Sequence, residues 1–327
     1  MMKRPHLLYR NGFSVIGASI SVGGLKKGPD LGPLALLKSD PQWLKELRDL
    51  GISATWTHSK VADETSFWQR PRCEDDFRQS LPIVAEFARH LSSTVMKTVM
   101  NDQFPIVLGG DHSIAIGTWS GVAQGLNWHK PKSNLGLIWI DAHMDSHTPQ
   151  TSPSQAIHGM PLAVLLGHGD PSLTHIGGSQ PKISPQNLVL MGVRSYEVGE
   201  EAFLASQGVR VMLMSEIQER GFQACFREAI AVVTRDTAGF GLSIDLDAFD
   251  PIEAPGVTTP CSLGLRASEV IPVLQQIVGH PLLAGLEFAE FCPPLDSAQG
   301  STFVLLKNLL SVFMTPRGLS AKVNIAS

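Results

Sequence analysis

The sequence predicts an α/β fold, a parallel sheet covered by helices on both faces, and three observations lead there. Short apolar runs alternate along the chain with segments whose apolar residues recur every three or four positions, as strands alternate with helices. The run from Leu135 to Ile140 is almost wholly apolar, with β-branched Ile138 and Ile140, as a strand buried on both faces should be. Three such runs end in acidic or imidazole side chains, and open α/β sheets build their sites at the carboxyl ends of strands. About seven or eight strands are expected from these runs.

In chain order, Phe13 to Ser19 is the first strand. A Gly/Pro-rich loop from Gly23 follows, and Pro33 suits the first turn of a helix reaching Leu37. The loop has neither the Gly-x-Gly-x-x-Gly order nor a P-loop ending, which argues against nucleotide binding. Ile52 to Thr57 reads as an edge-like strand. Between Asp75 and Met100, Leu81, Val84, Phe87, Ala88, Leu91, Val95 and Val99 fall at helical spacing and form one core-facing stripe. Pro105 to Gly110 is the third strand, its glycine pair allowing a tight turn, and a helix begins at Ser113.

Beyond the central strand, a polar loop from Ser146 to His158 precedes a helix from Gly159 to Leu166. His168 and His175 fall in a Gly/Pro/Ser-rich stretch and are expected to be exposed. Strands follow at Leu188 to Val193 and Val209 to Met214, with a helix opening at Glu200 between them and another from Phe222 to Val233. A strand from Gly239, a Pro/Thr-rich loop and a helix from Ser268 to Ile277, with Ser268 as its cap, come next. Leu282 to Phe288 is the last strand, and Ser301 to Phe313 forms a closing amphipathic helix.

Asp141, His143 and Asp145 follow the central strand at a spacing of two, which in extended backbone sends all three side chains to one face. Two carboxylates so close repel each other unless a cation or hydrogen bonds compensate, and a divalent metal is the simplest compensation. The pattern recurs at Asp245 and Asp247, and a third run delivers Asp111 and His112. Three separate strands thus carry ligand-type groups at one end.

At 327 residues the chain is long enough for a substantial core, and no linker, repeat or block of like charge divides it. A single domain over 1–327 is expected. A net charge of -4 lacks the basic excess of nucleic-acid binding, so small molecules are the expected partners. Cys73, Cys225, Cys261 and Cys292 are scattered without a Cys-x-x-Cys pair, which fits a reducing compartment. The pair Leu7-Leu8 is broken at once by Tyr9, Arg10 and Asn11, leaving no signal-peptide core, and no apolar run approaches the ~20 residues of a membrane span. The cytoplasm is the expected location.

Three motifs stand in order: Gly109-Gly-Asp-His-Ser113, Asp141-Ala-His-Met-Asp145 and Ser243-Ile-Asp-Leu-Asp-Ala-Phe-Asp-Pro251. With them the sequence resembles the ureohydrolases, the arginase and agmatinase family. The likeness is nearest to arginases, because Ile157-His-Gly-Met-Pro161 and Gly285-Leu-Glu-Phe-Ala-Glu290 also resemble arginase segments. The resemblance implies a three-layer α/β/α fold, two manganese ions per chain, a homo-oligomer (trimer or hexamer), and hydrolysis of a guanidino group to urea and an amine by a metal-bridging hydroxide. It implies one metal on His112, Asp141, Asp145 and Asp245 and a second on Asp141, His143, Asp245 and Asp247. Glu290 would pair with the guanidinium, Asp145 would pass a proton to the departing amine, and His158 would shuttle protons to solvent. L-arginine is the expected substrate, with L-ornithine as product.

Substrate contacts carried over by position are His147, Ser154, Glu197, Glu200 and Thr259, and some depart from the arginase pattern. His147 replaces an Asn that contacts the substrate carboxylate, Ala156 replaces another Asn, and Glu197 stands where an Asp usually faces the α-amino group. A protonated His147 beside Glu197 could still embrace an amino acid. The alternative is an agmatinase-like or other guanidino-acid ureohydrolase, and a different class of reading is a metal-binding scaffold that has lost the reaction.

Overall fold

The computed structural model describes residues 12–39, 54–60, 76–131 and 133–314, together with positions 45 and 68. Its strands are β1 (Phe13–Ser19), β2 (Ala54–Lys60), β3 (Phe104–Gly109), β4 (Leu135–Ile140), β5 (Ile183–Val193), β6 (Arg210–Leu213), β7 (Gly239–Asp245) and β8 (Leu283–Ala289). They form one sheet in the order β2-β1-β3-β8-β7-β4-β5-β6, parallel throughout. The strand expected from Ile52 is β2, at the sheet edge; Ile52 itself, Cys73 and the Leu7-Leu8 segment lie outside the described residues.

Side chains that alternate along a strand enter two different apolar layers. Ile138 and Ile140 point into a layer completed by α1 (Gly32–Ser39), α7 (Met214–Arg220), α8 (Phe222–Val233), α9 (Ala267–Leu274) and α10 (Ser301–Phe313). Leu137 and Trp139 point into the other, closed by α2 (Asp76–Met100), α3 (Ile114–His129), α4 (Pro161–Leu165), α5 (Pro171–Thr174) and α6 (Val198–Gln207). This is the expected α/β/α sandwich. Helices α2 and α3 approach closely where a Cβ on Gly121 would stand 2.6 Å from the Ser92 carbonyl oxygen.

Several local expectations are corrected. The helix expected from Gly159 is a 3-10 turn at Ile157–Gly159 followed by α4, because Pro161 suits the first helical turn. Ser268 does not cap α9; the cap position is Arg266, with no side-chain hydrogen bond. Helix α6 starts before Glu200, which instead closes a capping box with Glu197. Among the described residues no helix is long and apolar enough to cross a membrane.

The central four strands position the site. Between β3 and β4 in sequence the sheet inserts β8 and β7 in space, so the carboxyl ends of β3, β8, β7 and β4 stand side by side. Register levels them: Ile140 pairs with Ile244, and Asp245 with Ala289. The residues just after these positions therefore meet at one edge, the crevice favoured by open α/β sheets.

Candidate active site

Strand β4 stops at Ile140, so Asp141, His143 and Asp145 are not gathered by extended backbone as the spacing suggested. A turn gathers them. Asp141 Oδ1 accepts from the His143 backbone N–H at 2.7 Å, and Asp145 takes a left-handed backbone, φ 45°. The second pair repeats the device, with Asp245 Oδ1 accepting from Asp247 N–H at 2.8 Å. Short Asp side chains make such turns readily.

The result is two groups of convergent donors. His112, Asp141, Asp145 and Asp245 form one, and Asp141, His143 and Asp247 the other, with ligand-type atoms in each group within 4.8 Å of one another. Asp141 belongs to both; Asp245 falls in the first alone. His112 Nδ1 lies 3.1 Å from Asp141 Oδ2, 3.1 Å from Asp145 Oδ2 and 3.0 Å from Asp245 Oδ2. His143 Nδ1 lies 3.1 Å from Asp247 Oδ2. Burial pushes the Asp245 carboxyl well above the usual carboxylate range, and the charges of Asp247 and Asp141 push it further.

A divalent cation fits this cluster. His112 Nδ1 is buried with no hydrogen bond of acceptable direction, although three carboxylate oxygens surround it. Distance is satisfied and direction is not, as when donors aim at a common point rather than at each other. Adjacent ligands of an octahedral ion at about 2.1 Å stand about 3 Å apart, close to the spacing seen. Oxygen-rich donors with two imidazoles and no thiolate suit manganese.

Glu290 follows β8 and also holds a left-handed backbone, φ 66°. Its Oε1 accepts from His112 N–H at 2.9 Å and pairs with His158 Nδ1 at 3.0 Å, while Oε2 accepts from the Thr258 hydroxyl at 2.8 Å. His158 is held by its backbone N–H donating to the Gly23 carbonyl. Burial lowers the His158 pKa, but the hydrogen bond and charge of Glu290 outweigh it and raise the imidazole to about 9.

A cavity of about 100 Å³ opens over the cluster, and every residue expected to act in catalysis or substrate contact lines it: Asp145, His158, Glu290, His147, Ser154, Glu197, Glu200 and Thr259. Several of these are already engaged. Both ring nitrogens of His147 have partners, Nδ1 with Thr151 Oγ1 and Nε2 with Glu197 Oε2, each at 3.1 Å. Glu200 accepts from the Ser146 and Glu197 backbone N–H groups, and burial with the Glu197 hydrogen bond raises its carboxyl to about 8. The Thr259 hydroxyl donates to Asp247 Oδ2. Ser154 is exposed at the rim, and Ala156 is buried and presents no polar side-chain group. His168 and His175 are exposed, as expected.

Sequence reasoning missed Thr258, Ser243 and Glu287 around these groups. Ser243 opens the third motif, but nothing in its spacing announces a partner. The sequence profile of the arginase family matches residues 11–315. The chain belongs to the arginase family. The arginase of Bacillus caldovelox is 37% identical over 305 residues, covering 92% of this chain and 97% of its own. The arginase of Bacillus subtilis strain 168 is 37% identical over 300 residues, covering 91% and 97%. In structure, the B. caldovelox arginase superposes with a TM-score of 0.82 at 36% identity, covering 96% of this chain and 100% of that one. Entamoeba histolytica arginase, solved with L-ornithine, gives 0.80 at 25% identity over 93% and 99%. The ureohydrolase likeness of the three motifs is thus a family relationship over most of the arginase chain.

Proposed function

We propose that this chain hydrolyses the guanidino group of L-arginine to urea and L-ornithine. The single observation that carries the reading is that two donor groups sharing Asp141 each present residues to a cavity that the His158–Glu290 pair also lines. The named relatives are arginases, which supports L-arginine as substrate.

His112, Asp141, Asp145 and Asp245 would hold one manganese ion, and Asp141, His143 and Asp247 the other. Two such ions, when bound, activate water at neutral pH and stabilise the negative charge that develops during hydrolysis. Glu290 receives the guanidinium: its carboxylate is held below the usual range despite burial, by the hydrogen bond and charge of His158 and by Thr258, and it fixes the plane of the planar cation. One carbon–nitrogen bond breaks as the elements of water are added, and Asp145 hands a proton to the departing amine. His158, which lines the same cavity and is more exposed than Glu290, exchanges protons with solvent. Glu197 faces the α-amino group, with Glu200 holding the turn that presents it and Ser154 and Thr259 flanking the approach.

A second reading has a specific observation behind it. Among the described residues no Lys or Arg lines the cavity, and the ring of His147 is turned toward acids rather than toward an incoming carboxylate. A guanidino compound without the α-carboxylate is therefore the alternative substrate. Manganese-loaded protein offered L-arginine, agmatine, guanidinobutyrate and guanidinopropionate decides, with urea as readout. Urea from arginine supports the first reading; urea from agmatine alone replaces it.

The proposal is completed by a single domain, a homo-oligomer and a cytoplasmic location. The free thiols of Cys225, Cys261 and Cys292 suit a reducing compartment, and the absence of a basic excess disfavours nucleic acid as partner.

A further inference from the structure

Behind the donor cluster lies a chain of hydrogen bonds that the chemistry above does not use. Glu287, on β8, is fully buried. Its Oε1 accepts from Trp119 Nε1 at 3.1 Å and from the Ser243 hydroxyl at 2.7 Å. Ser243 and Glu287 are register partners on adjacent strands, so the sheet itself holds this contact. Ser243 Oγ in turn lies 3.0 Å from His112 Nε2. The imidazole is stacked on Trp139, centroids 3.9 Å apart and planes 11° off parallel, and cannot easily flip.

Counting protons orders the chain. An indole N–H only donates, a carboxylate only accepts, and a serine hydroxyl has a single proton. The indole and the hydroxyl both donate to Glu287, which leaves the Ser243 oxygen as an acceptor toward His112. Nε2 of His112 must therefore carry the proton, and Nδ1 is the atom left to coordinate. Nδ1 is the nitrogen that the oxygens of Asp141, Asp145 and Asp245 surround.

We infer that Glu287, acting through Ser243, is a positioning residue that fixes the tautomer of His112 and so makes its Nδ1 a metal ligand. The inference rests on the proposed reading that this cluster holds manganese. Without the carboxylate, the Ser243 proton turns toward Nε2, the imidazole carries its own proton on Nδ1, and that proton occupies the place of the cation. The second group draws on His143 in place of His112.

The test compares the full chain with Glu287→Met, Glu287→Gln and Ser243→Ala, each titrated with Mn2+ alone. The readouts are bound manganese, the paramagnetic resonance spectrum and thermal unfolding. Glu287→Met and Ser243→Ala should weaken one of the two ions about 10- to 100-fold, as loss of such support typically does. At limiting Mn2+ the spectrum of a coupled pair should then give way to that of an isolated ion. Glu287→Gln keeps a carbonyl oxygen for Trp119 and Ser243, and should retain both ions. Two ions bound with wild-type affinity in Ser243→Ala or in folded Glu287→Met would overturn the inference, as would equal losses in Glu287→Met and Glu287→Gln. Ser243→Ala decides if Glu287→Met does not fold. A wild-type chain that binds no Mn2+ at all would instead remove the metal reading on which the inference stands, and the inference with it.

Discussion

His158 Nδ1 stands 3.0 Å from Glu290 Oε1, an ion pair between a 3-10 turn and the residue just beyond β8, 132 positions apart in sequence. The pair places an imidazolium against the carboxylate that is proposed to receive the guanidinium. On that proposal one cation stands in for another, and proton release from His158 would be coupled to substrate capture by Glu290.

That coupling has a definite pH direction. His158 is raised to about 9, so it is cationic at neutral pH and loses its proton as pH climbs through that value. By linkage, the stability the pair contributes is complete below the ordinary imidazole value near 6.5 and fades as pH rises through about 9. Urea release should therefore rise along an alkaline limb near 9. His158→Asn should lower kcat roughly 10- to 100-fold, abolish that limb and leave metal bound, as metal analysis would check. A metal-free His158→Asn protein would contradict the role.

Removing the metal should loosen the whole carboxyl edge of the sheet. Asp141, Asp145, Asp245 and Asp247 converge there, and buried like charges without a cation destabilise the folded state. A ligand at 100 times its Kd stabilises a fold by about 2.7 kcal/mol, so two ions should raise Tm by roughly 5–10 °C over chelated protein. Asp245→Ala should abolish most of that shift together with urea release. Differential scanning calorimetry with and without Mn2+ reads it.

His147 is expected to act on substrate through Glu197 rather than by direct contact. Its two ring nitrogens tie Thr151 to Glu197, fixing a side chain that is otherwise more than half exposed, at 59%. His147→Ala should raise KM for L-arginine about tenfold while kcat stays within about twofold, the pattern of lost ground-state binding. Steady-state kinetics with an unchanged KM would show that Glu197 needs no such tether.

The glycine pair before Asp111 tests the packing of the site. A Cβ on Gly110 would stand 2.4 Å from the Ile20 carbonyl oxygen and 2.8 Å from that of Ala18, backbone atoms that cannot step aside. Gly110→Ala should cost about 2–3 kcal/mol, at the upper end of ordinary overpacking, as measured by urea unfolding. The reason is close approach rather than the tight turn that the sequence suggested, since Gly110 has no positive φ.

What could be read from the sequence was whatever has a period or a charge. The strand at Phe13–Ser19 and the helices at Phe222–Val233 and Ser301–Phe313 emerge with the bounds that apolar spacing gives them. The donor residues were legible because carboxylates gathered at strand ends need a reason. How they are gathered was not, because Asx turns and the left-handed backbones of Asp145 and Glu290 leave no periodic trace. Contacts across the fold were hidden as well. Thr258 reaches Glu290 over 32 positions from a loop, and Ser243 reaches Glu287 over 44 because β7 and β8 are neighbours in the sheet.

The most direct test is to restore Mn2+ stepwise to metal-free chain and follow urea release from L-arginine against ions bound per chain. Two donor groups sharing Asp141 predict activity that climbs to a plateau at two ions. A plateau at one ion, or full metal uptake without any urea, would contradict it.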